Sequence, residues 1–249
     1  RALAGAVSRR PDRRALLAAG ALALGGVVAW RVASGPAVPE LAASRRGDLV
    51  FLEQGASSEL SRSLQIGMPG DAGGAALAAA EVDRAAVETA AGVRALGDAG
   101  PPLVAFLDYR CGPCRRHAPA LLDGARAGRF RLLVRDWPIL GEPSVLAARA
   151  ALAARAQGAY WEFHAELMST AFVPTPALVD ELARRHGLDA ARLRAEMQSA
   201  AVDRALARNA ALARALGGVG TPLFVVDGVV VAGGWAPSTL LRLAARHRG

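Results

Sequence analysis

Cys111 and Cys114 are the only cysteines in the chain, and they stand three positions apart inside Tyr109–Pro119, YRCGPCRRHAP. An apolar run precedes them and an amphipathic run follows. LVAFLDY (103–109) has the character of a buried strand, the motif opens a helix that continues through RRHAPALLDGARA, and FRLLVRD (130–136) reads as a second strand. Strand, helix and strand in so short a span predict a parallel βαβ unit. The cysteines then fall at the first strand-to-helix turn.

Two nearby thiols can be a staple, a metal clip or a redox pair. A bridge over three positions closes a very small loop and removes little chain entropy. With 53% hydrophobic residues the chain can build a core without staples. Zinc wants four ligands, and there is no second cysteine pair. His117 gives a third potential ligand, whereas His164, His186 and His247 lie in segments that read as helices. A c-type haem motif would need histidine where Arg115 stands. No metal site is assigned, although two thiolates alone suit Cu(I). At a helix N-terminus the first thiol meets unpaired N–H groups and the positive end of the dipole, which favours thiolate. Arg110, Arg115 and Arg116 push the same way if their heads lie close. A thiolate beside a resolving thiol can exchange with a partner's disulfide and then release it.

The rest of the chain supplies the frame. Ala75–Leu96 reads as an alanine-rich helix ended by Gly97, and DLVFLEQ (48–54) as a short strand-like run in an otherwise loose segment. Beyond Trp137-Pro138 lies a long helical block. It comprises PSVLAARAALAARAQGAYWEFHAELMS, TPALVDELARRHG, and a further helix from an Asp189 N-cap to Gly217-Gly218. TPLFVVDGVVVAGG then predicts a hairpin about Asp227-Gly228, and PSTLLRLAARHR a last helix. Thr221-Pro222 stands at the mouth of a strand, where proline is awkward unless it begins the strand or has a special purpose.

With these residues together, the chain resembles the thioredoxin fold. That family carries Cys-Gly-Pro-Cys after its first core strand and a cis-proline before the strand leading into the C-terminal hairpin. Cys111, Gly112, Pro113, Cys114 and Pro222 match it residue by residue. Pro119 matches the proline that kinks the family's active helix. Helical sequence of about eighty residues between Asp136 and Thr221 is too long for plain thioredoxin, and an insertion there marks the DsbA-like branch. FLDYRCGPCRRHAP, WPILGEPSVLAARAALAA and YWEFHAELM are similar to the periplasmic ScsC-like group.

The resemblance covers about Ala75–Gly249. It implies an α/β domain over 75–249 with a thioredoxin fold and a helical insertion at about 140–217. Cys111 is expected to be the exposed nucleophile and Cys114 the buried resolving thiol. Thr221 and Pro222 are expected to face Cys111 and pair with extended substrate backbone, with Gly112, Pro113 and Pro119 as supporting residues. No cofactor is expected beyond the Cys111–Cys114 disulfide itself. The implied partners are cysteine-containing exported proteins and a membrane redox partner.

Two departures bear on direction. Gly112-Pro113 is the dipeptide of reducing thioredoxins, where strongly oxidising relatives have histidine. A buried carboxylate commonly sits six residues before the first cysteine, a place held here by Ala105; Asp108, three before Cys111 on the same strand, is either a substitute or, the favoured reading, an ordinary family residue with no role assigned. The inserted helices favour an oxidase, the dipeptide an isomerase or reductase. A Cu(I)-binding protein is the reading from another class.

The formal charge of +8 is uneven, because 1–46 hold eight arginines against Asp12 and Glu40, a net of +6. A nucleic-acid binder would concentrate that excess on its folded domain, so nucleic acid is not an expected partner. Arg9, Arg10, Arg13 and Arg14 precede an uncharged apolar run of 16 residues, Ala15–Trp30. This reads as an export leader, either cleaved near Val32-Ala33-Ser34 or kept as an inner-membrane anchor through 15–30. Residues 1–34 are thus a signal or anchor, 35–74 a linker or accessory segment, and the folded part lies in the periplasm or on the outer face of the cytoplasmic membrane.

Overall fold

A computed structural model describes residues 39–52, 84–88 and 95–247. The leader lies outside the described residues. No helix among them is long and apolar enough to cross a membrane.

Among the described residues six strands form one mixed sheet: β1 (Ala43–Arg46), β2 (Leu49–Leu52), β3 (Pro102–Leu107), β4 (Arg131–Asp136), β5 (Leu223–Val226) and β6 (Val229–Ala232). Their spatial order is β1-β2-β6-β5-β3-β4. The βαβ expectation is met, since β3 runs parallel to β4, with Leu103 opposite Leu132 and Leu107 opposite Asp136. β5 pairs antiparallel with β3 and closes the hairpin with β6. Asp227 (φ 50°) and Gly228 (φ 82°) both take the left-handed conformation that a two-residue hairpin turn demands. Every residue of β3 is buried, which explains why its sequence shows no alternation.

Helix α1 is Arg84–Glu88 and α2, which carries the cysteine motif, is Gly112–Arg126. The long helical block folds as α3 (Glu142–Ala154), a 3-10 turn at Arg155–Gln157, α4 (Tyr160–Ser169), α5 (Pro176–Arg185), α6 (Ala190–Met197) and α7 (Ala200–Ala215). It is inserted between β4 and β5. The last helix, α8 (Pro237–His247), packs on α2, β5 and β6. Val104 and Phe106 of β3 share a core cluster with Val87 of α1, with Leu212 and Ala213 of α7, and with Leu216 at its C-cap. Trp137 joins the same cluster and meets Phe106 edge to face.

Three local expectations are corrected. The helix expected over Ala75–Leu96 does not reach Leu96, because Leu96 exchanges both backbone hydrogen bonds with Leu132 beside β4. Of that span, 75–83 and 89–94 lie outside the described residues. The single helix expected from Asp189 to Gly217 is two. Ser199 leaves the helical conformation and its hydroxyl accepts from Val202 N, capping α7. The strand-like run after Asp48, expected within a linker or accessory segment, is a strand of the core sheet: β2 buries Leu49, Val50 and Leu52 and pairs parallel with β6, Val50 opposite Val229.

The end of α7 sets up the loop that faces the cysteines. Gly217 has φ 73°, Gly217 N donates to Arg214 O and Gly218 N to Ala213 O, a Schellman closure. A β-carbon on Gly218 would lie 2.7 Å from Ala213 O and 3.2 Å from the Trp137 ring. Gly218→Ala is therefore expected to lower stability by roughly 1–3 kcal/mol in urea unfolding. Gly220→Ala, with nothing within 4 Å of its added carbon, should leave stability unchanged.

Candidate redox site

The carboxyl end of β3 delivers the chain into a tight turn. Cys111 N donates to Asp108 O at 3.1 Å, and Arg115 N to Cys111 O at 3.0 Å, so Cys111 becomes the N-cap of α2. Its Sγ accepts from Cys114 N at 3.2 Å, satisfying one of the helix's unpaired donors. Pro113 fills an opening-turn position, where its missing N–H costs nothing. Cys111 and Cys114 are joined as a disulfide, with Cα atoms 5.2 Å apart.

Across from α2, the Thr221-Pro222 peptide bond is cis. Cys111 Sγ lies 3.4 Å from the Thr221 carbonyl oxygen, to which a reduced thiol can donate. Cys111, Gly112, Pro113, Cys114, Thr221 and Pro222 are thus brought together from two distant stretches. Pro119 is apart from this group, exposed in the second turn of α2. The expectation of an exposed Cys111 needs correcting: it keeps only 4% of its surface, against 0% for Cys114. The reason is its capping role, which folds the sulfur under Cys114 N–H and against the Thr221 carbonyl.

The family model of the DsbA-like thioredoxin domain matches residues 102–244. The chain belongs to that family. It is a DsbA-like thiol–disulfide oxidoreductase, and its Cys-x-x-Cys pair forms the disulfide described above. A thioredoxin-like oxidoreductase from Silicibacter pomeroyi is 38% identical, with a TM-score of 0.61 over 67% of this chain and 98% of that one. The thiol-disulfide exchange protein alpha-DsbA2 of Wolbachia pipientis shares the fold at 24% identity, TM-score 0.57, over 61% of this chain and 86% of that one. The catalytic domain of Proteus mirabilis ScsC does so at 23% identity, TM-score 0.57, over 65% and 92%. A Na(+)/H(+) antiporter NhaA from Herminiimonas arsenicoxydans is 33% identical over 165 residues, 63% of this chain. The chain spans about a quarter (26%) of the length of that curated relative.

Several polar residues of this DsbA-like site escape a reading of the sequence. Asp108 is fully buried and does not stand free for proton transfer. Its Oδ1 accepts from Arg110 N (2.7 Å) and Ser144 Oγ (2.8 Å), and its Oδ2 from Ile139 N (2.7 Å) and Leu140 N (3.0 Å). Asp136, at the end of β4, is equally buried. Tyr109 Oη donates to its Oδ1 at 2.8 Å and Tyr160 Oη to its Oδ2 at 3.0 Å. Tyr109 Oη also lies 2.9 Å from His164 Nδ1, and Tyr160 stacks on the His164 ring. Both tyrosine hydroxyls are pushed well above their ordinary range, by burial first and then by the Asp136 charge. When Asp136 is ionised, Tyr109 gives its one proton to the carboxylate and must accept from His164 Nδ1–H. The only signal in sequence for this cluster is polar residues at the edges of apolar runs.

Burial raises the Asp136 carboxyl to about 7 from an ordinary 3.8, against the lowering effect of the two tyrosines. Burial alone lowers His164 to about 3 from 6.5. The raised carboxyl stabilises the fold fully below about pH 4, and that contribution is lost as pH climbs to about 7. The lowered imidazole stabilises it fully above about pH 6.5 and loses the contribution as pH falls toward 3. Between about pH 4 and 6.5 the two slopes oppose each other. Unfolding free energies measured across that window should rise with pH in Asp136→Asn, fall with pH in His164→Gln, and change least in the unmodified protein. Parallel slopes in all three would contradict this account.

Proposed function

We propose that the chain works outside the cytoplasm as an oxidase that passes the Cys111–Cys114 disulfide to exported proteins containing cysteines. The observation that carries this reading is the apposition of Cys111 Sγ and the Thr221 carbonyl at 3.4 Å, where the backbone of an extended client could lie. Cys111 is the sulfur attacked, because Cys114 is wholly covered. A client thiolate bonds to Cys111 Sγ, the Cys111–Cys114 bond breaks, and Cys114 leaves as thiolate and takes a proton. A second client thiolate then attacks the client sulfur of the mixed disulfide and expels the Cys111 thiolate. The client has lost two electrons and the pair has gained them. A membrane redox partner would restore the disulfide. The arginine-flanked apolar run at 15–30 supports the location, as signal or as anchor. The likeness to the antiporter supports a shared domain, and no transport role is proposed.

Gly112-Pro113 favours the opposite direction, in which the pair is kept reduced and acts as an isomerase or reductase. The two directions differ in one number, the equilibrium constant of the pair with glutathione. An oxidase should sit far toward the dithiol; a constant close to that of thioredoxin would reverse the assignment. Exchange itself is tested with Cys114→Ser. That variant should accumulate mixed disulfides with client proteins through Cys111, and Cys111→Ser should accumulate none. Tight Cu(I) binding by the unmodified protein, with no adducts in Cys114→Ser, would replace the enzyme reading with a copper-binding one.

A further inference from the structure

Three arginines flank the cysteine motif, and they are not equivalent. Arg110 Nη1 donates to Leu140 O at 2.7 Å, which turns its head toward the loop that enters α3. Arg115 Nε donates to Met168 O at 3.2 Å and its Nη2 to Thr170 O, so its head is anchored at the end of α4. Arg116 follows Gly112 by four residues and shares its face of the helix. A β-carbon built on Gly112 would lie 3.5 Å from Arg116 Nη1. The guanidinium therefore lies over Gly112, between the two cysteines, beside the place where a side chain would begin. A second sign of its reach comes from His117, lowered by burial first and by the Arg116 charge second.

We propose that Arg116 is the cation that stabilises the Cys111 thiolate of the reduced protein, and so sets how oxidising the Cys111–Cys114 pair is. This rests on the exchange reading above. Reduction breaks the S–S bond and adds two electrons; Cys114 takes up a proton and Cys111 is left as thiolate. At the N-cap of α2 that thiolate receives Cys114 N–H. It also faces the Thr221 carbonyl, whose negative end opposes a charge on sulfur. A positive head over Gly112 offsets that opposition. Whatever stabilises the thiolate stabilises the reduced pair and makes the disulfide the stronger oxidant. Gly112 is then more than the mark of a mild dipeptide: a β-carbon there would only touch the arginine head, whereas a longer side chain would compete with it for the same place. Arg116 is exposed, so its influence is screened by salt.

The test compares Arg116→Gln, Arg116→Glu and Arg110→Gln with the unmodified protein. Two readouts serve: the pH dependence of Cys111 alkylation in the reduced protein, and the equilibrium constant with glutathione at low and at high salt. Arg116→Gln should shift thiolate formation to higher pH and make the pair about two- to fivefold less oxidising, the scale of an exposed charge interaction. Arg116→Glu should shift both further, and the differences should shrink at high salt. Arg110→Gln should change both readouts less than Arg116→Gln. Unchanged alkylation profiles and constants in both Arg116 variants would overturn the proposal. So would a change that salt does not touch, which marks a structural effect. If Cys114→Ser traps no clients while Arg116→Gln still moves the alkylation profile, the exchange reading fails and the role of Arg116 stands. Trapped clients with an unmoved profile give the reverse.

Discussion

Four hydrogen bonds converge on the carboxylate of Asp108, and the position of the redox turn follows from them. One donor, Arg110 N, belongs to the turn itself. Of the other three, Ile139 N and Leu140 N belong to the segment that leads into α3 and Ser144 Oγ to its first turn. A buried carboxylate is tolerable only with such partners, and each donor left without it would carry the cost of an unsatisfied buried group. A single side chain at the end of β3 thereby fixes the cysteine turn against the start of the inserted helices. Asp136, at the matching end of β4, acts alike one strand over, gathering Tyr109 from the turn and Tyr160 from α4. Core sheet, redox turn and insertion are thus tied by two acids standing on neighbouring parallel strands.

The chemistry of the pair reflects competing local fields. The N–H groups opening α2 favour charge on Cys111, and the Thr221 carbonyl disfavours it. Gly112-Pro113 contributes no charge of its own. Arginines placed at either side of the motif look alike as letters, yet two of them are committed to backbone carbonyls elsewhere. How oxidising such a centre is therefore depends on where side-chain heads are anchored as well as on which two residues separate the cysteines.

What could be read from sequence was what short-range pattern determines. The strand before Cys111, the helix after it, the Asp227-Gly228 turn and the Asp189 cap each rest on a few adjacent residues, and each is where the pattern places it. The cis bond at Pro222, and the meaning of the long helical block as an insertion, followed from resemblance to a family. Roles that need partners far along the chain were not legible. Asp108 meets Ser144 and Tyr109 meets His164 across 36 and 55 positions, and no local pattern announces either contact. The near burial of Cys111 belongs here too, since Thr221, 110 positions away, provides part of the cover. Leu96 was misread for a related reason. Its hydrogen-bond partner, Leu132, lies beyond the cysteine helix, and that pairing overrides the helical preference of an alanine-rich stretch.

The parallel ladder between β2 and β6 has a kinetic consequence. Val50 and Val229 stand near opposite ends of the described chain, so their pairing closes a loop that contains almost all of the domain. Closing so long a loop is entropically costly until its interior is already compact. The β3–β4 unit, the insertion and the β5–β6 hairpin have their own contacts and can assemble without it. The outer hairpin β1–β2 is then expected to zip on as a late event, after the two stretches that meet at the disulfide have found each other. During synthesis β1 and β2 emerge before the other described strands of the sheet, yet their place in it must wait for the β5–β6 hairpin to be made.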